Sequence, residues 1–346
     1  MEHTGTSAEP KEAVLYEKLS DGRMLCHLCA HRCIITDGKR GICHVRENQD
    51  GTLYTLVYGR SITRHVDPVE KKPLFHFYPG TKAYSIATPG CNFGCRWCQN
   101  WEISQMPRQQ HLTMGEEASP AQILAAAQRY GCRSIAYTYT EPTVFFEYTY
   151  DTARLAHEAG LANIYVSNGY MTAEMLETFH TYLDAINVDL KAFREETYLK
   201  YVGAKLQPVL DTLKWVKSHG IWLEVTTLII PGINDGPSEL SDVATFIASE
   251  LGVDTPWHIS RFFPAYRMKD VPLTPLATLR RARDIGLETG LRYVYQGNIP
   301  ESEAETTYCH SCGSLLVRRR GLTLSDNKTV KGRCWQCGAQ IDGVGM

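Results

Sequence analysis

Residues 83–100 read AYSIATPGCNFGCRWCQN, in which an apolar stretch is followed by three cysteines with C-x3-C-x2-C spacing. AYSIAT has the length and composition of a buried strand, so Cys91, Cys95 and Cys98 are predicted to lie in the loop that follows it. Structural zinc sites are closed by four ligands. Three thiolates on a [4Fe-4S] cube would leave one iron open to an exogenous ligand. A zinc site of three cysteines and a histidine is the alternative.

Downstream of this loop the sequence alternates strand-like and helix-like segments. The predicted strands are AYSIAT, SIAYTYT, NIYVSNG, AINVDLK, WLEVTTLII and WHISRFF, with LRYVYQG as a further strand. The predicted helices are SPAQILAAAQRYG, TVFFEYTYDTARLAHEAG, TAEMLETFHTYL, PVLDTLKWVKSHG, SELSDVATFIASELG and PLATLRRARDIGLETG. Six successive β/α units indicate parallel strands joined by helical crossovers.

Two architectures fit this alternation, a partial or full β/α barrel and a doubly wound open sheet. Polar residues follow several successive strands, which favours a barrel, because all strand ends of a barrel meet at one mouth. An open sheet would concentrate them at one switch point. No GxGxxG or GxxxxGK[ST] motif follows a strand, which argues against a nucleotide-binding sheet. We therefore predict an α/β fold, a partial (β/α)6-type TIM barrel over residues 81–300.

The segment before the predicted barrel is rich in cysteine. Residues 1–20 are predicted to be flexible, and residues 21–80 to form a Cys-rich N-terminal region that begins with a metal-stapled knuckle. Its four cysteines, with C-x2-C-x3-C-x9-C spacing, are Cys26, Cys29, Cys33 and Cys43. They suit either a zinc ion, which we prefer at this stage, or an auxiliary [4Fe-4S] cluster. His27, His31 and His44 are alternative ligands.

The segment after the predicted barrel, residues 304–346, contains two C-x2-C knuckles separated by 21 residues. This spacing is typical of a zinc-ribbon-like module with a tetrahedral site, and mononuclear iron is the alternative metal. The ligands would be Cys309, Cys312, Cys334 and Cys337. The run VRRRG between the knuckles is predicted to be a solvated edge strand, with a nucleic-acid or partner contact as the alternative. The remaining cysteine, Cys132, is predicted to be an inert core thiol.

Composition limits the class of protein. The chain has 346 residues, 43% hydrophobic and 21% charged, with a formal net charge of -2. This balance allows a large core and argues against a strongly electrostatic nucleic-acid binder. No apolar run is long enough to cross a bilayer, and the start MEHTGTSAEPKEA lacks the apolar core of a signal peptide. We expect a soluble, cytoplasmic protein whose dense cysteines are metal ligands rather than disulfides.

Several stretches together resemble the AmmeMemoRadiSam system radical SAM enzymes, which are related to the pyruvate formate-lyase activating enzymes. They are DPVEKKPLFHFYPG, CNFGCRWCQNWEIS, YTYTEPT, VSNGY, DLKAF, PWHISRFFP and YCHSCG...CWQCG. The resemblance covers residue 24 to the C-terminus. It implies a [4Fe-4S] cluster that binds S-adenosylmethionine (SAM) and cleaves it reductively to a 5'-deoxyadenosyl radical, which takes hydrogen from a protein or small-molecule substrate. A glycyl-radical activase is the nearest well-understood relative.

The resemblance also implies residues that contact SAM at later strand ends. The predicted cofactor-binding residues are Trp97, Glu141, Asn168, Asp189, Lys191 and His258. Glu141 would accept hydrogen bonds from the SAM ammonium, as the glutamate of a Gly-Gly-Glu motif does, although Tyr139 and Thr140 replace the two glycines here. Structural alternatives are a helix-start carboxylate for Glu141, a turn for Asn168, an ion pair for Asp189 with Lys191, and a core histidine for His258.

Partners follow from the same resemblance. SAM cleavage consumes one electron, so a reduced flavodoxin or ferredoxin is the expected donor, and the family name suggests Memo-like and AMMECR-like proteins. The competing class of function is a non-catalytic iron-sulfur or zinc adaptor that binds RNA or protein. Such an adaptor has no need for polar residues at successive strand ends, which favours the enzyme.

Overall fold

The computed structural model describes residues 10–299 and 303–346. Its main sheet has eight strands, which we number in chain order. They are β1 Thr63–Pro68, β2 Lys82–Ala87, β3 Ser134–Tyr137, β4 Ala162–Ser167, β5 Ala185–Asp189, β6 Trp222–Ile229, β7 Trp257–Arg261 and β8 Val294–Gly297. β1 pairs antiparallel with β2, and every later strand is parallel to the one before it. Every predicted strand is present.

The order of the strands separates the two predicted architectures. Neighbours in the sheet follow chain order from β1 to β8. A doubly wound sheet reverses its order at a switch point, whereas a barrel continues in one direction. Within the described residues β1 and β8 do not pair with each other, so the sheet stays open between them. The predicted partial β/α barrel is therefore confirmed.

Six helices connect the parallel strands. They are α1 Pro120–Arg129, α2 Phe146–Glu158, α3 Ala173–Phe179, α4 Gln207–Ser218, α5 Pro237–Phe246 and α6 Leu276–Glu288. Shorter helical segments are Val69–Lys71, Trp101–Ser104, Met106–Gln110, Pro142–Phe145, His180–Tyr182, Glu195–Thr197, Tyr198–Val202 and Ile247–Leu251. α1 begins as predicted, because Ser119 and Gln122 form a reciprocal capping box and Pro120 stands in the first turn. Right-handed crossovers place such helices on one face of the sheet.

The segment of residues 69–77, which we call the plug, closes the end of the barrel where the strands begin. Val69, Leu74 and Phe77 form a buried cluster with small side chains at the starts of strands, among them Ala83 and Ala185. Alanines leave room for the larger plug residues, so packing density is kept. The loops that follow the strands, including the cysteine loop, therefore lie at the other end of the barrel.

The N-terminal region forms two small antiparallel sheets. One has the order Lys11–Glu12, Thr52–Thr55, Arg46–Gln49, and the other has the order Tyr16–Lys18, Met24–Cys26, Ile34–Ile35. A further pair joins Arg60–Ser61 to Glu116–Glu117. Residues 10–20, which we predicted to be part of a flexible segment, thus contain two strands. The rest of that segment, residues 1–9, lies outside the described residues.

The C-terminal module is an antiparallel β structure. Its strands are Thr307–Tyr308, Leu315–Arg320, Thr323–Asn327, Thr329–Val330 and Arg333–Cys334. The module docks on the plug through backbone and side chains. Val344 N–H donates to His76 O at 2.8 Å, and His76 Nδ1 lies 2.7 Å from Asp342 O. The module therefore covers the end of the barrel that is opposite the cysteine loop.

Arg319 is the charged side chain that ties the module to the plug. It is fully buried, and its Nη2 donates to Phe75 O at 2.6 Å. Its Nε lies 3.6 Å from Glu70 Oε1, and its guanidinium stacks 4.2 Å from the Phe75 ring. Arg318 and Arg320 on either side are exposed. The VRRRG strand is thus solvated on one face only, because the strand alternation turns Arg319 inward.

No helix of the described residues is both long and apolar enough to cross a membrane.

Replacing Arg319 tests this docking. Arg319→Ala leaves Glu70 and the Phe75 carbonyl buried without their cation, so we expect unfolding free energy to fall by about 3–5 kcal/mol. Arg320→Ala, an exposed neighbour on the same strand, is the matched control and should change it by less than about 0.5 kcal/mol. Urea unfolding of both variants gives the comparison. Equal stability of the two variants would contradict the role of Arg319.

Candidate functional site

The three central cysteines lie in the loop after β2, as predicted. Gly90 precedes them with φ of +110°, and a Cβ at this position would lie 2.6 Å from Val45 Cγ1. Glycine is therefore required where the backbone turns into the loop. Cys95 is buried, and Cys91 and Cys98 are half-buried. The loop thus presents its thiols at the mouth of the barrel without full exposure.

Hydrogen bonds hold the loop in shape. Gly94 N–H donates to Val202 O at 2.9 Å and Arg96 N–H donates to Tyr201 O at 3.0 Å. Phe93 N–H also donates to Cys91 Sγ at 3.3 Å. Amide hydrogen bonds to a thiolate sulfur are one of the means by which proteins tune an iron-sulfur cluster. Backbone hydrogen bonds therefore anchor the loop, and the amide next to Cys91 Sγ suits it to an iron-sulfur cluster.

Glu141 joins the end of β3 to the end of β4. Its Oε1 accepts from Thr143 N–H, Thr143 Oγ1 and Ser167 Oγ at 3.0, 2.6 and 2.8 Å, and its Oε2 accepts from Asn168 N–H at 2.8 Å. Burial raises the pKa of Glu141, and these hydrogen bonds oppose the shift. The contact with Thr143 matches the structural alternative, a carboxylate at a helix start. The predicted contact of Glu141 with the SAM ammonium stays a prediction.

Tyr139 adopts the backbone conformation that glycine normally supplies. Its φ is +63°, which costs a non-glycine residue on the order of 1 kcal/mol or more. Its hydroxyl donates to Asp67, and Lys72 Nζ lies 4.4 Å from its ring centroid. These contacts hold the side chain away from the loop. The tyrosine that replaces a motif glycine therefore keeps the glycine-like turn before Glu141.

Asn168 connects β4 to the cysteine loop. Its Nδ2 donates to Asn92 Oδ1 at 2.7 Å and lies 3.9 Å from Cys91 Sγ. Asn92 follows Cys91 directly, and both asparagines are buried. The structure therefore brings Asn168 to the first cysteine, as its place at a strand end suggested.

Asp189 and Lys191 form an ion pair at the end of β5, which was the structural alternative for these residues, and their contact with SAM stays a prediction. Lys191 Nζ lies 2.6 Å from Asp189 Oδ2. Burial opposes the charge of Lys191, but the Asp189 carboxylate and the Cys95 thiol outweigh it, so the pKa of Lys191 is raised. The pair thus lies beside Cys95 at the mouth of the barrel. It offers both a cation and an anion next to the thiols.

Trp97 lies in the cysteine loop, whereas His258 lies near the start of β7. Trp97 is buried within the cysteine loop, with its ring 6.3 Å from that of Tyr201. His258 is the second residue of β7, so the prediction that it lies at a strand end is wrong. Its Nε2 is 2.6 Å from Glu224 Oε2, and that carboxylate also accepts from the plug backbone at Phe75 and His76.

The position of His258 has a physical cause. A buried carboxylate such as Glu224 requires hydrogen-bond donors, and His258 supplies one at the plug end of the barrel. The structural alternative, a core histidine with its hydrogen bond satisfied, matches this place. Its contact with SAM stays a prediction, and none of the contacts of His258 in the described residues favours it.

Burial changes the pKa values of two thiols of the loop. Burial raises the pKa of Cys95 to about 12, with the Lys191 ammonium acting against the shift. Burial, followed by the Glu141 carboxylate, raises the pKa of Cys91 well above its ordinary value. Metal coordination displaces such protons. Beside the loop, Asn92 Nδ2 and Thr88 Oγ1 are buried without a partner among the described residues, which is consistent with a ligand at this place.

The C-terminal four cysteines have the geometry of a single-ion site. Their ligand atoms lie within 4.8 Å of one another. The Sγ atoms of Cys309 and Cys337 are 3.7 Å apart, as are those of Cys312 and Cys334. A tetrahedral zinc with bonds of about 2.3 Å places its sulfurs at about this separation. The module can therefore bind zinc at the predicted residues.

The N-terminal four cysteines line a cavity near the mouth of the barrel. Cys26, Cys29, Cys33 and Cys43 share it with Arg46 and Val144. Of the histidines predicted as alternative ligands, His31 lies 2.8 Å through Nε2 from Asn92 O, and His27 is 2.5 Å through Nδ1 from Arg32 Nη1. Cys132 is a buried thiol outside the three sets.

Sequence reasoning missed Asn92, Ser167 and Tyr198. Asn92 lies inside the cysteine motif, and Ser167 directly precedes Asn168, so their positions were the available signal. Tyr198 Oη accepts from Lys191 N–H at 3.1 Å. It comes from the segment after β5, and no sequence spacing pointed to it.

Comparisons with known proteins find a superfamily and several relatives to which the chain is similar. The model of the radical SAM superfamily matches residues 85–247. An uncharacterised protein of Methanocaldococcus jannaschii is 46% identical over 334 residues, which cover 96% of this chain and 99% of that protein. A second protein of the same archaeon, provisionally named a glycyl-radical enzyme activating enzyme, is 24% identical and covers 51% of this chain and 66% of its own length.

Among solved structures, Streptococcus suis SuiB bound to S-adenosylmethionine is similar in fold. Its TM-score is 0.50 at 13% identity, with 66% of this chain and 53% of that chain covered. At this identity the similarity concerns the fold alone.

Glu141→Gln tests the carboxylate that joins the loops. A carboxamide has one acceptor oxygen, so at least one buried donor among Thr143, Ser167 and Asn168 loses its partner, and we expect a loss of about 1–3 kcal/mol in unfolding free energy. Glu158→Gln, at the exposed end of α2, is the control and should be near neutral. Thermal unfolding of the two variants measures the difference in stability. A Glu141→Gln variant as stable as its control would contradict this role.

Proposed function

Because the chain belongs to the radical SAM superfamily, we propose that it is an enzyme that reductively cleaves SAM at a [4Fe-4S] cluster held by Cys91, Cys95 and Cys98, and that the resulting 5'-deoxyadenosyl radical abstracts hydrogen from a substrate. The observation that carries the proposal is the convergence at the cysteine loop. Asn168 Nδ2, at the end of β4, lies 3.9 Å from Cys91 Sγ. Burial and then the Glu141 carboxylate after β3 raise the pKa of Cys91, and the Lys191 ammonium after β5 opposes the rise that burial causes in the pKa of Cys95. An adaptor has no use for this arrangement.

The residues around the loop suit a zwitterionic ligand. SAM carries an ammonium and a carboxylate on its methionine part. The Lys191 ammonium, paired with Asp189 at 2.6 Å, is suited to a carboxylate, and Asn92 Nδ2 is a buried donor without a partner among the described residues. Glu141 fixes the Asn168 backbone and keeps a lone pair on Oε2 for an ammonium. These residues would orient the ligand rather than react.

The walls of the site exclude water, which the proposed chemistry needs. Phe93 is 1% exposed, Trp97 is 3% exposed and Tyr198 is fully buried. Trp97 covers the loop from within, and this protects a reactive species from stray hydrogen donors. We also propose that Trp97 packs near the adenine of SAM.

The finer assignment rests on the resemblance stated above. We propose an activase-like member of the AmmeMemoRadiSam system, supported by YTYTEPT, VSNGY and DLKAF at the ends of β3, β4 and β5. Its substrate is a protein or a small molecule. Memo-like and AMMECR-like proteins are proposed partners on the same ground. Because all twelve cysteines are free thiols, we propose the reducing cytoplasm as the compartment.

An electron donor with an acidic surface would fit the open groove beside the cysteine loop. The groove is lined by Arg96, Arg108, Lys200 and Arg267, and Asn92 lies in its wall. Complementary charge steers association and sets orientation. We therefore propose that a reduced flavodoxin or ferredoxin docks in this groove.

Cys95→Ala tests the active site. Under anaerobic conditions with dithionite and SAM, we expect release of methionine and 5'-deoxyadenosine to fall by at least about 100-fold, because the cluster loses one of three protein ligands. Cys132→Ala removes a buried thiol outside the three sets and should keep the activity. Chromatography of the products gives the measurement. Cleavage by the Cys95→Ala protein at the control's rate would refute the cluster assignment.

Cys312→Ala tests the C-terminal metal, which we propose to be zinc. Loss of one of four thiolates should lower bound zinc from about one equivalent per chain to near none. Bound iron should stay unchanged, since the module covers the other end of the barrel. Elemental analysis of the purified protein measures both metals. If iron rather than zinc is lost, the zinc assignment is wrong.

A further inference from the structure

We propose that Cys26, Cys29, Cys33 and Cys43 hold a second [4Fe-4S] cluster, and that this cluster exchanges electrons with the one at Cys91, Cys95 and Cys98. The sequence alone left zinc and a cluster open and gave zinc the preference. The second part of the proposal rests on the proposed function, whereas the identity of the metal at the four N-terminal cysteines does not.

The separation of the sulfurs distinguishes the two cysteine quartets. In the C-terminal quartet two pairs of sulfurs are 3.7 Å apart, as one tetrahedral ion requires. Within the described residues, the C-terminal quartet is the set whose ligand atoms gather in this way, and the N-terminal quartet does not. A cube with an iron at each cysteine needs thiols that are farther apart. The N-terminal quartet therefore fits a cluster better than an ion.

The surroundings of the N-terminal quartet are those of a buried anionic group. Leu28, Ile35 and Val144 form apolar walls of the cavity. Arg46 also lines it and is 1% exposed, and its charge acts on Cys26 and Cys43. A four-thiolate cluster carries net negative charge, which this cation would offset.

Arg46 adds an independent observation. Its two terminal nitrogens bind Glu147, at 2.9 and 3.2 Å, and Nη2 also donates to Val14 O at 2.6 Å. Its Nε is buried and has no partner among the described residues. A buried donor without an acceptor is costly, and a sulfur of the cluster would accept from it. The cavity thus contains a donor that points to a ligand.

Two of the three histidines considered as alternative zinc ligands form hydrogen bonds outside the quartet. His31 Nε2 lies 2.8 Å from Asn92 O. His27 Nδ1 lies 2.5 Å from Arg32 Nη1, and its Nε2 is 3.6 Å from Glu17. His31 also lines the cavity, but its Nε2 is held by the Asn92 carbonyl, so the four thiols form the main set of ligands there.

The N-terminal knuckle contacts the active-site loops directly. Cys29 forms a β-bridge with Met171, and Ala30 N–H donates to Tyr170 O at 3.2 Å. The hydrogen bond from His31 reaches the backbone of Asn92, the residue after Cys91. The Tyr170 ring packs 4.7 Å from His31 and 5.2 Å from Phe93. One layer of side chains therefore joins the two cysteine sets.

This contact gives the second cluster a role. A reduced low-potential carrier would pass one electron to the N-terminal cluster and take it from the 2+ to the 1+ state. The electron would then move to the central cluster, which becomes 1+ while the N-terminal cluster returns to 2+. Neither transfer forms a bond or moves a proton. The C-terminal metal lies behind the plug and takes no part.

The decisive variant replaces Cys91, Cys95 and Cys98 by alanine together. After anaerobic reconstitution with iron and sulfide, we expect about four irons per chain in this variant and about eight in the parent protein. Zinc should remain at about one equivalent in both, from the C-terminal module. No iron in the variant, with two zincs per chain, would overturn the proposal. Because the variant lacks the radical SAM cluster, its result does not depend on SAM cleavage.

Electron paramagnetic resonance tests the electronic contact. Dithionite adds one electron to each cluster, so the reduced parent protein should show a spectrum broadened by coupling of two neighbouring spins. The triple-alanine variant should show one uncoupled S = 1/2 signal. Two independent signals in the parent protein would overturn the relay while leaving the second cluster in place.

A second variant guards against misfolding of the first. Cys29→Ala with Cys33→Ala should lower the iron content from about eight to about four per chain and abolish the broadening. Retention of about one zinc per chain shows that its C-terminal module is folded. Unchanged iron in this variant would mean that the N-terminal quartet holds no cluster and would overturn the proposal.

Discussion

The buried carboxylate of Glu141 is the constraint on which the geometry of the site depends. It accepts four hydrogen bonds from the segments that follow β3 and β4. One of them fixes the backbone of Asn168, whose side chain in turn holds Asn92 of the cysteine loop. Phe93, Cys95 and Trp97 anchor the loop in the hydrophobic core, and these hydrogen bonds fix where its remaining groups lie. The strain at Tyr139 is tolerated because Asp67 and Lys72 secure that side chain.

The two ends of the barrel have different tasks. At the end where the strands begin, the plug and the C-terminal module form a buried network of Arg319, Glu70, Glu224, His76 and His258. This network has no contact with the central thiols among the described residues, and it stabilises the fold. At the other end the strand ends gather polar groups around Cys91 and Cys95. The charged groups at that end can contact a ligand, whereas Arg319 and Glu70 at the plug end hold the C-terminal module in place.

The cysteine quartets follow the same division. The C-terminal quartet sits in the module behind the plug, and its sulfurs are spaced for one ion. The N-terminal quartet packs against the loop after β4 and lies next to the cysteine loop. The two quartets therefore differ in their position relative to the central thiols. One lies where it can affect chemistry at Cys91, and the other does not.

The sequence by itself determined the β/α alternation and the three cysteine sets, whereas a resemblance to a known family pointed to Glu141, Asn168, Asp189 and Lys191. The alternation and the cysteine sets are local patterns, because strand periodicity, caps and ligand spacing involve residues near each other in the chain. The sequence could not reveal the hydrogen-bond partners of His258, Arg319 and Asn92. These partners, Glu224, Phe75 and His31, are 34 to 244 residues away in the chain. Only the tertiary structure decided which buried charges face the plug and which face the thiols. A buried charge is stable only beside its partner, and the folding of the barrel chooses that partner.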